Sequence, residues 1–288
     1  MLRIREYIIE SCIKLSGFLV IAFVFLIFLF LLKDSLSLFG IYPLGKFLFG
    51  INWLPISEPP TFGMIPLLLG SLYVTAVAII ICVPIGVATA MFIAEAAPKS
   101  LKHILKALVE ILASIPSVIL GFIGIVWLGP FIKGIFGLNT GMCGLTGSLL
   151  LAFMALPTII SISEDAIIGV PKSFKEAAFG LGATRWQTLW RIVLPSASPG
   201  IIAGVMLGIG RVIGETMVVM MVTGNAPVIP GSIFKPLRTL TATIAGEMGE
   251  TVSGSDHYFA LFAVGLILFI ITFMINFIAD LFLRRARK

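Results

Sequence analysis

The stretch EAAFGLGATRWQTLWRIVLP, residues 176–195, decides the fold, because it is a charged, helix-prone segment between two long apolar runs. The runs on either side have the composition of membrane spans, so this stretch is expected to lie outside the bilayer. Ala177 and Ala178 give a small-sided helix face that a partner surface can approach closely. Glu176 is expected in the first turn of that helix, where a carboxylate suits the positive end of the helix dipole.

The second half of the stretch carries its own signals. Gly182 is expected to interrupt the helix, at a cost of about 1 kcal/mol relative to alanine. Trp186 and Trp190 are four residues apart and therefore share a helix face. Pro195 is expected to end the element before the next span. These properties alone leave two interpretations: a docking element for another protein, or an amphipathic helix on the membrane surface with its tryptophans at headgroup level.

The composition identifies an integral membrane protein. Of 288 residues, 59% are hydrophobic and 12% are charged, with a mean hydropathy of +1.12. A soluble domain carries roughly twice that charged fraction. The three cysteines are widely scattered, so neither a disulfide framework nor a metal site is predicted from them. The two histidines are isolated, and no constellation for covalent catalysis is present. We therefore predict a protein that is not an enzyme and holds no metal or cofactor in this chain.

The apolar runs define six candidate spans of about 20 residues or more, the length needed to cross the hydrocarbon layer. The first is interpreted as a retained helix and not as a secretory signal, because no small-residue cleavage site follows it and five more spans do. Pro84 with Gly86 is a plausible kink in the second span. The fold class is thus an all-α polytopic membrane protein with six transmembrane helices, at residues 15–32, 65–94, 111–131, 145–163, 197–224 and 258–280.

The orientation follows from the distribution of lysine and arginine among the loops. Most of them precede the first span, separate the second from the third and the fourth from the fifth, or follow the sixth. We therefore predict a multi-pass protein of the cell membrane with both termini and residues 176–195 on the cytoplasmic side. The net charge of +6 is explained by this topology, so a nucleic-acid partner is not predicted.

Two ionisable residues, Arg211 and Glu215, interrupt the apolar fifth span. A charge in mid-bilayer costs on the order of 2.5–3.5 kcal/mol, which makes a functional site the default expectation. In a continuous helix of 3.6 residues per turn the two would share one face with Gly200, Gly204 and Gly208. Small residues on that face permit close helix packing or leave room for a ligand. The face is therefore expected to meet protein or water and not lipid.

Two interpretations of the charged residues remain open. The pair is either an internal ion pair, or a cation that binds a tetrahedral oxyanion, for which the planar guanidinium offers two hydrogen bonds at once. In the second case Glu215 would hold Arg211 when no anion is present or release it on passage. Thr216 and Ser117 are candidate hydroxyls of the same pathway. Each could instead bond to its own helix backbone.

The loop also resembles a known family, the permeases of ABC importers. The spacing EAA, three residues, Gly, nine residues, I-x-L-P is similar to their cytoplasmic loop signature, and a coupling helix that docks on a separate ATPase is what the resemblance implies. The residues of this match are Glu176, Ala177, Ala178, Gly182, Ile192, Leu194 and Pro195.

Three further segments resemble the C-type permease of the Pst phosphate importer. They are RVIGETMVVMMVTGN (211–225), IPSVILGFIG (115–124) and TLTATIAGE (239–247). The resemblance covers about 65–280 and implies the ABC type I importer fold, with a permease domain at 64–283 and a coupling loop at 164–195. Residues 1–63 carry no motif of the family and are predicted from hydropathy to form an N-terminal transmembrane helix and an external loop. TLTATIAGE could also fold back as a short helix in the outer loop.

The family further implies inorganic phosphate as substrate and several partners. These are an external phosphate-binding protein, membrane lipid, a second permease subunit that forms a heterodimer in preference to a homodimer, and two ATP-binding subunits that use the ATP. The chain contains no G-x-x-x-x-G-K-[ST] phosphate loop of its own. Two alternatives remain: the same architecture for sulfate, molybdate or phosphonate, and an ion-coupled anion carrier or channel that works without a partner.

Overall fold

The computed structural model describes residues 2–286, and within them six helical stretches are long and apolar enough to cross a membrane. The predicted number of spans is confirmed, and the fold is all-α apart from one short hairpin. The six stretches are Ile9–Ile41, Ile65–Ala96, Ser117–Phe136, Gly144–Ile168, Arg185–Gly214 and Asp256–Ile278.

The N-terminal part forms a cap on one end of the bundle. Helix α1 (Leu2–Ile41) is longer than the predicted span 15–32 and lies along the last helix. A short helix α2 (Leu44–Phe49) and an antiparallel hairpin, β1 (Trp53–Leu54) with β2 (Thr61–Phe62), follow it. Their aromatic side chains are buried together with residues of the last helix, which anchors the hairpin.

The third span begins later than predicted. The second span, which precedes it, comprises helix α3 (Ile65–Met91) and a π-helical turn, Phe92–Ala96. Helix α3 runs through Pro84. Helix α4 (Lys99–Ser114) is a separate element, and the next span starts at Ser117 instead of residue 111. The cause is Pro116, because a proline disfavours helical geometry in the residue before it, and Ile115 is extended. This span comprises α5 (Ser117–Ile123), a π-helical turn (Gly124–Leu128) and α6 (Gly129–Phe136).

Helix α7 (Gly144–Ile168) is the centre of the bundle and the most buried of the spans. It packs against α3 on one side and against the fifth span on the other. The remaining elements are α8 (Lys172–Gly180), α9 (Arg185–Thr188), a π-helical turn (Leu189–Val193), α10 (Leu194–Gly214), α11 (Met217–Val222), α12 (Leu240–Glu247) and α13 (Asp256–Ala286).

The glycine face of α10 explains how closely α7 and α10 approach. A Cβ atom added at Gly200 would overlap the side chain of Ala166, and one added at Gly208 would lie 2.6 Å from Ile159 Cγ1. Gly204 meets Ile162 in the same way, at 3.1 Å. The expectation that this face meets protein is therefore confirmed.

The fifth span is broken where a continuous helix was predicted. Helix α10 ends at Gly214, Glu215 is extended with φ −70° and ψ 131°, and α11 begins only at Met217. The prediction of one helix over 197–224 is therefore wrong at its C-terminal end. At the start of the span, the helical path already begins at Arg185.

Two details of the loop 176–195 also differ from the sequence prediction. Glu176 is not in the first turn of its helix, because extended Pro171 starts α8 at Lys172, four residues earlier. Pro195 does not end an element; it lies in the first turn of α10, where a missing N–H is tolerated. The interruption at Gly182 is confirmed, since this residue has φ +80° and α8 has already ended.

Candidate functional site: a cation beside a broken helix

Arg211 projects from the last turn of α10 and is half-buried against α7. Its Nη1 donates a hydrogen bond of 3.4 Å to the hydroxyl of Thr158. The glycine face directs the side chain there, because Gly208, one turn earlier, packs on Ile159. None of the ion pairs within residues 2–286 involves Arg211. The guanidinium is thus a cation in a membrane span without a carboxylate neighbour in the described chain.

Glu215 is turned away from Arg211 and caps the next helix. Its Oε1 accepts hydrogen bonds from the backbone N–H groups of Met217 (3.0 Å) and Val218 (3.2 Å). A carboxylate at a helix N-terminus is stabilised by these otherwise unpaired donors and by the helix dipole. The predicted helix face shared by Arg211 and Glu215 is therefore absent, because the helix breaks between them.

The two predicted hydroxyls are placed differently. Thr216 lies in the break itself, and its Oγ1 donates to the Gly214 carbonyl oxygen at 3.3 Å. Ser117 is the first residue of α5 and is half-buried. The structure does not bring Ser117 within hydrogen-bonding distance of Arg211 or Glu215. Thr216 thus belongs to the same neighbourhood as the charged residues, whereas Ser117 lies on another element.

A cluster of hydroxyls beside the break was missed by sequence reasoning. Thr241 Oγ1 donates to the carbonyl oxygen of Glu215 at 2.9 Å and lies 3.1 Å from Thr239 Oγ1. Together with Ser71 and Thr75 they line a cavity of about 10 Å³ next to Glu215. That volume holds about one water molecule. The segment TLTATIAGE carried the only sequence signal for this cluster.

The C-terminal end of α12 is bonded to three other segments through Glu247. Its carboxylate accepts hydrogen bonds from Trp53 Nε1 (3.0 Å) in the hairpin and from Arg238, with which it also forms an ion pair. It also lies 2.8 Å from Nε2 of His257, at the start of α13. A cavity of about 660 Å³ opens beside this cluster, between the hairpin, α12 and Asn225.

The loop between the fourth and fifth spans presents an apolar surface. Leu181 is 90% exposed and Trp186 is 65% exposed. Trp186 and Trp190 lie on one face with ring centroids 5.5 Å apart, as predicted. Of the signature residues, Ala178 is buried, Ile192 and Leu194 are half-buried, and the others are exposed: Glu176, Ala177, Gly182 and Pro195.

Ion pairs connect this loop to the membrane part. Lys175 of α8 pairs with Glu95, in the π-helical turn that ends the second span. Glu164 near the end of α7 is 1% exposed and lies 3.7 Å from the ammonium nitrogens of both Lys102 and Lys106 on α4. It is buried because α4, which was not predicted as a separate helix, packs over it.

Six apolar spans, an exposed helical loop that interrupts them and a cation inside the fifth span define the class of the protein: a transporter permease. The chain belongs to the family of binding-protein-dependent transport system inner membrane components, whose pattern matches residues 83–288. It is a multi-pass membrane protein.

Curated relatives span most of this chain. A probable ABC transporter permease protein YqgH of Bacillus subtilis is 42% identical over 82% of this chain and 76% of its own length. The phosphate transport system permease protein PstC of Mesorhizobium japonicum is 41% identical over 88% of this chain and 81% of its own. PstC of Pasteurella multocida is 36% identical over 99% of this chain and 95% of its own.

Solved structures give the same fold. A chain of the inward-facing MetNI methionine ABC transporter matches with a TM-score of 0.60 and 25% identity, over 80% of this chain and 99% of that one. A chain of a bacterial alginate ABC transporter matches with a TM-score of 0.66 and 18% identity, over 98% of each chain, which shows the fold alone. The predicted ABC importer permease fold is confirmed.

Proposed function

We propose that this chain is the PstC-type permease subunit of an ATP-driven importer of inorganic phosphate. The observation that carries the proposal is the half-buried guanidinium of Arg211, which has a hydroxyl partner but no carboxylate partner in the described chain. An isolated cation in a membrane span is costly and is kept where an ion binds. The relatives named as phosphate transport permeases supply the identity of the ion.

The geometry suits a tetrahedral oxyanion. Arg211 offers two parallel N–H donors that match two oxygens of such an ion, and Thr158 can donate its own hydrogen beside them. Glu215 would repel the ion if it pointed at the same place, but its carboxylate is engaged with the N–H groups of α11. Thr216 extends the polar surface by one hydroxyl. In this arrangement the guanidinium of Arg211 is available to the oxyanion, and the negatively charged carboxylate of Glu215 is held away from it.

The loop 176–195 is proposed to dock on a separate ATP-binding subunit. Its exposed Leu181, Trp186 and Trp190 form an apolar surface of the kind that a partner protein covers. Lys175 and its pairing with Glu95 would pass a movement of this loop to the second span. The remaining partners are a second, sibling permease subunit, a second ATP-binding subunit and an external phosphate-binding protein. Both termini and this loop are assigned to the cytoplasmic side of the cell membrane.

Uptake by proteoliposomes tests the proposal. The chain is reconstituted with its sibling permease, the ATP-binding subunits and the external binding protein, and labelled phosphate is followed with and without ATP inside. Accumulation that requires ATP and is outcompeted by excess phosphate but not by sulfate, molybdate or phosphonate is expected. Accumulation driven by an ion gradient without nucleotide would refute the ABC assignment. ATP-dependent accumulation of labelled sulfate, molybdate or phosphonate without accumulation of labelled phosphate would refute phosphate as the substrate.

A further inference from the structure

The break in the fifth span coincides with a hydrogen bond from another helix. In a continuous α-helix the Glu215 carbonyl oxygen would accept from the amide of Val219, four residues on. Here it accepts from Thr241 Oγ1 at 2.9 Å, although the two residues are 26 apart in the chain. Thr241 is buried, at 7% exposure, and Glu215 is half-buried, so this bond is partly shielded from bulk water. A carbonyl oxygen that is shielded from water and has lost its helical partner needs such a donor.

Helix α12 is held firmly enough to act as a fixed support for that bond. At its inner end the Leu240 amide donates to Ser71 Oγ of α3 at 2.8 Å. The approach there is so close that a Cβ at Gly70 would overlap the Arg238 carbonyl oxygen. At its outer end Glu247 bonds to the hairpin, to the preceding loop and to α13. The position of Thr241 is therefore fixed by the contacts of α12 with α3, the hairpin and α13, and not by its own short helix alone.

The break decides which partner Glu215 has. With the helix broken, its carboxylate lies on the N–H groups of Met217 and Val218. With the helix continuous, Glu215 would stand four residues from Arg211 on one face, where side chains of opposite charge meet. A carboxylate paired with the guanidinium would compete with an incoming anion for the same donors. The broken helix thus leaves the guanidinium of Arg211 free to bind an anion, whereas in the continuous helix the Glu215 carboxylate would occupy it.

We propose that Thr241 is a positioning residue for transport: its hydrogen bond to the Glu215 carbonyl oxygen holds the break and so keeps the Glu215 carboxylate off Arg211. Thr241 acts through Glu215 and need not contact the transported ion. The inference deepens the proposed function, on which it rests for the identity of the ion.

The test compares Thr241→Val with Thr243→Val in the reconstituted complex. Valine keeps the shape of threonine and removes the hydroxyl. Thr243 is the matched control, because it is also buried on the same helix but donates to the carbonyl oxygen of Thr239, the residue that caps α12, at 2.8 Å. Thr241→Ser should restore the wild-type behaviour, since it restores the hydroxyl.

Two readouts are expected to change together in Thr241→Val only. The phosphate concentration for half-maximal uptake should rise by about two- to tenfold with an unchanged maximal rate, the range that one net hydrogen bond contributes to an equilibrium. Hydrogen exchange at the amides of Thr216 and Val219 should become slower, because a continuous helix gives them the carbonyl oxygens of Val212 and Glu215 as partners. A lowered maximal rate with unchanged half-saturation would mark a general structural defect and overturn the proposal.

The exchange measurement needs no transported ion, so it separates this inference from the proposed function. Unchanged exchange in Thr241→Val would overturn the positioning role even if the complex carries phosphate. Slower exchange at Thr216 and Val219 in a complex that carries another oxyanion would support the role while the phosphate assignment fails. If the complex does not assemble with Thr241→Val, Gly70→Ala is the second test variant. This substitution displaces the start of α12 from α3 and should produce the same two changes.

Discussion

The hydroxyl of Thr158 lies 3.4 Å from Nη1 of Arg211, although the two residues are 53 apart in the chain and belong to different spans. The glycine face of α10 makes this contact possible, because it lets α7 come close enough for one side chain to reach across. The contact gives the cation a neutral partner, which orients the guanidinium without cancelling its charge. The first two predictions follow from it.

Arg211→Gln is expected to lower phosphate uptake by about 100-fold or more, because it removes the charge that the ion binds. Membrane insertion and co-purification with the partner subunits should be unchanged. Lys133→Gln, which removes an exposed cation from α6, is the matched control and should transport normally. Normal uptake in Arg211→Gln would make the arginine structural and would remove the central support of the proposed function.

Thr158→Val is expected to have a smaller effect of a different kind. The guanidinium keeps its charge but loses the group that orients it, so the half-saturating phosphate concentration should rise by about two- to tenfold. Concentration-dependent uptake measures this effect, and Thr158→Ser should restore the wild-type value. An unchanged half-saturation in Thr158→Val would show that the 3.4 Å contact does not orient Arg211 during transport.

Gly200→Leu should disturb the packing of α7 on α10. The side chain would collide with Ala166, and overpacking of this kind costs about 1–3 kcal/mol. Gly134→Leu is the control, because a Cβ at Gly134 has open space around it. Thermal unfolding of the purified protein measures the difference, and equal midpoints for the two variants would contradict the close approach of the two helices.

Glu176→Lys and Gly182→Trp should weaken the docking of the ATP-binding subunits on this loop or uncouple their ATP hydrolysis from transport. The first reverses a charge on the exposed signature surface, and the second places a bulky side chain at φ +80°, which costs about 1–3 kcal/mol in backbone strain. Co-purification of the ATP-binding subunits and ATP turnover during uptake are the measurements. Glu10→Lys, a charge reversal on the exposed surface of α1, should leave both unaltered. Intact assembly, turnover and uptake in the loop variants would argue against docking at this loop.

Glu247→Gln should destabilise the packing of α12 on the hairpin and α13 by about 1.5–3 kcal/mol, the contribution of a hydrogen bond to a charged group. The substitution removes the charge that Arg238 pairs with and leaves its guanidinium partly buried. Glu250→Gln is the matched control, because Glu250 is exposed and lies outside the cluster around Glu247. Equal unfolding midpoints for the two variants would show that the cluster does not anchor α12.

Much of the fold could be predicted because the signals are local. About 20 consecutive apolar residues indicate a membrane span, and charged residues together with glycine indicate an exposed loop. The same locality explains the errors at residues 111–116 and at Glu176. In both places a proline, Pro116 or Pro171, moved a helix boundary that hydropathy alone does not mark.

The candidate site was predictable in its residues but not in its geometry. Arg211 and Glu215 stand out in the sequence because charges are rare in a membrane span. Their partners do not, since Thr158 and Thr241 are ordinary threonines until folding brings them close. The apolar pattern of the fifth span predicts a continuous helix, because a local pattern does not include a hydrogen bond from a hydroxyl on another helix.

The amino-acid sequence by itself determined six membrane spans, the exposed loop between the fourth and fifth, and a charged pair inside the fifth, because each depends on residues close together in the chain. Only the tertiary structure decided that the pair is separated. The break at Glu215 is stabilised by Thr241, which folding places there through α12, and a contact of that range has no counterpart in any local pattern.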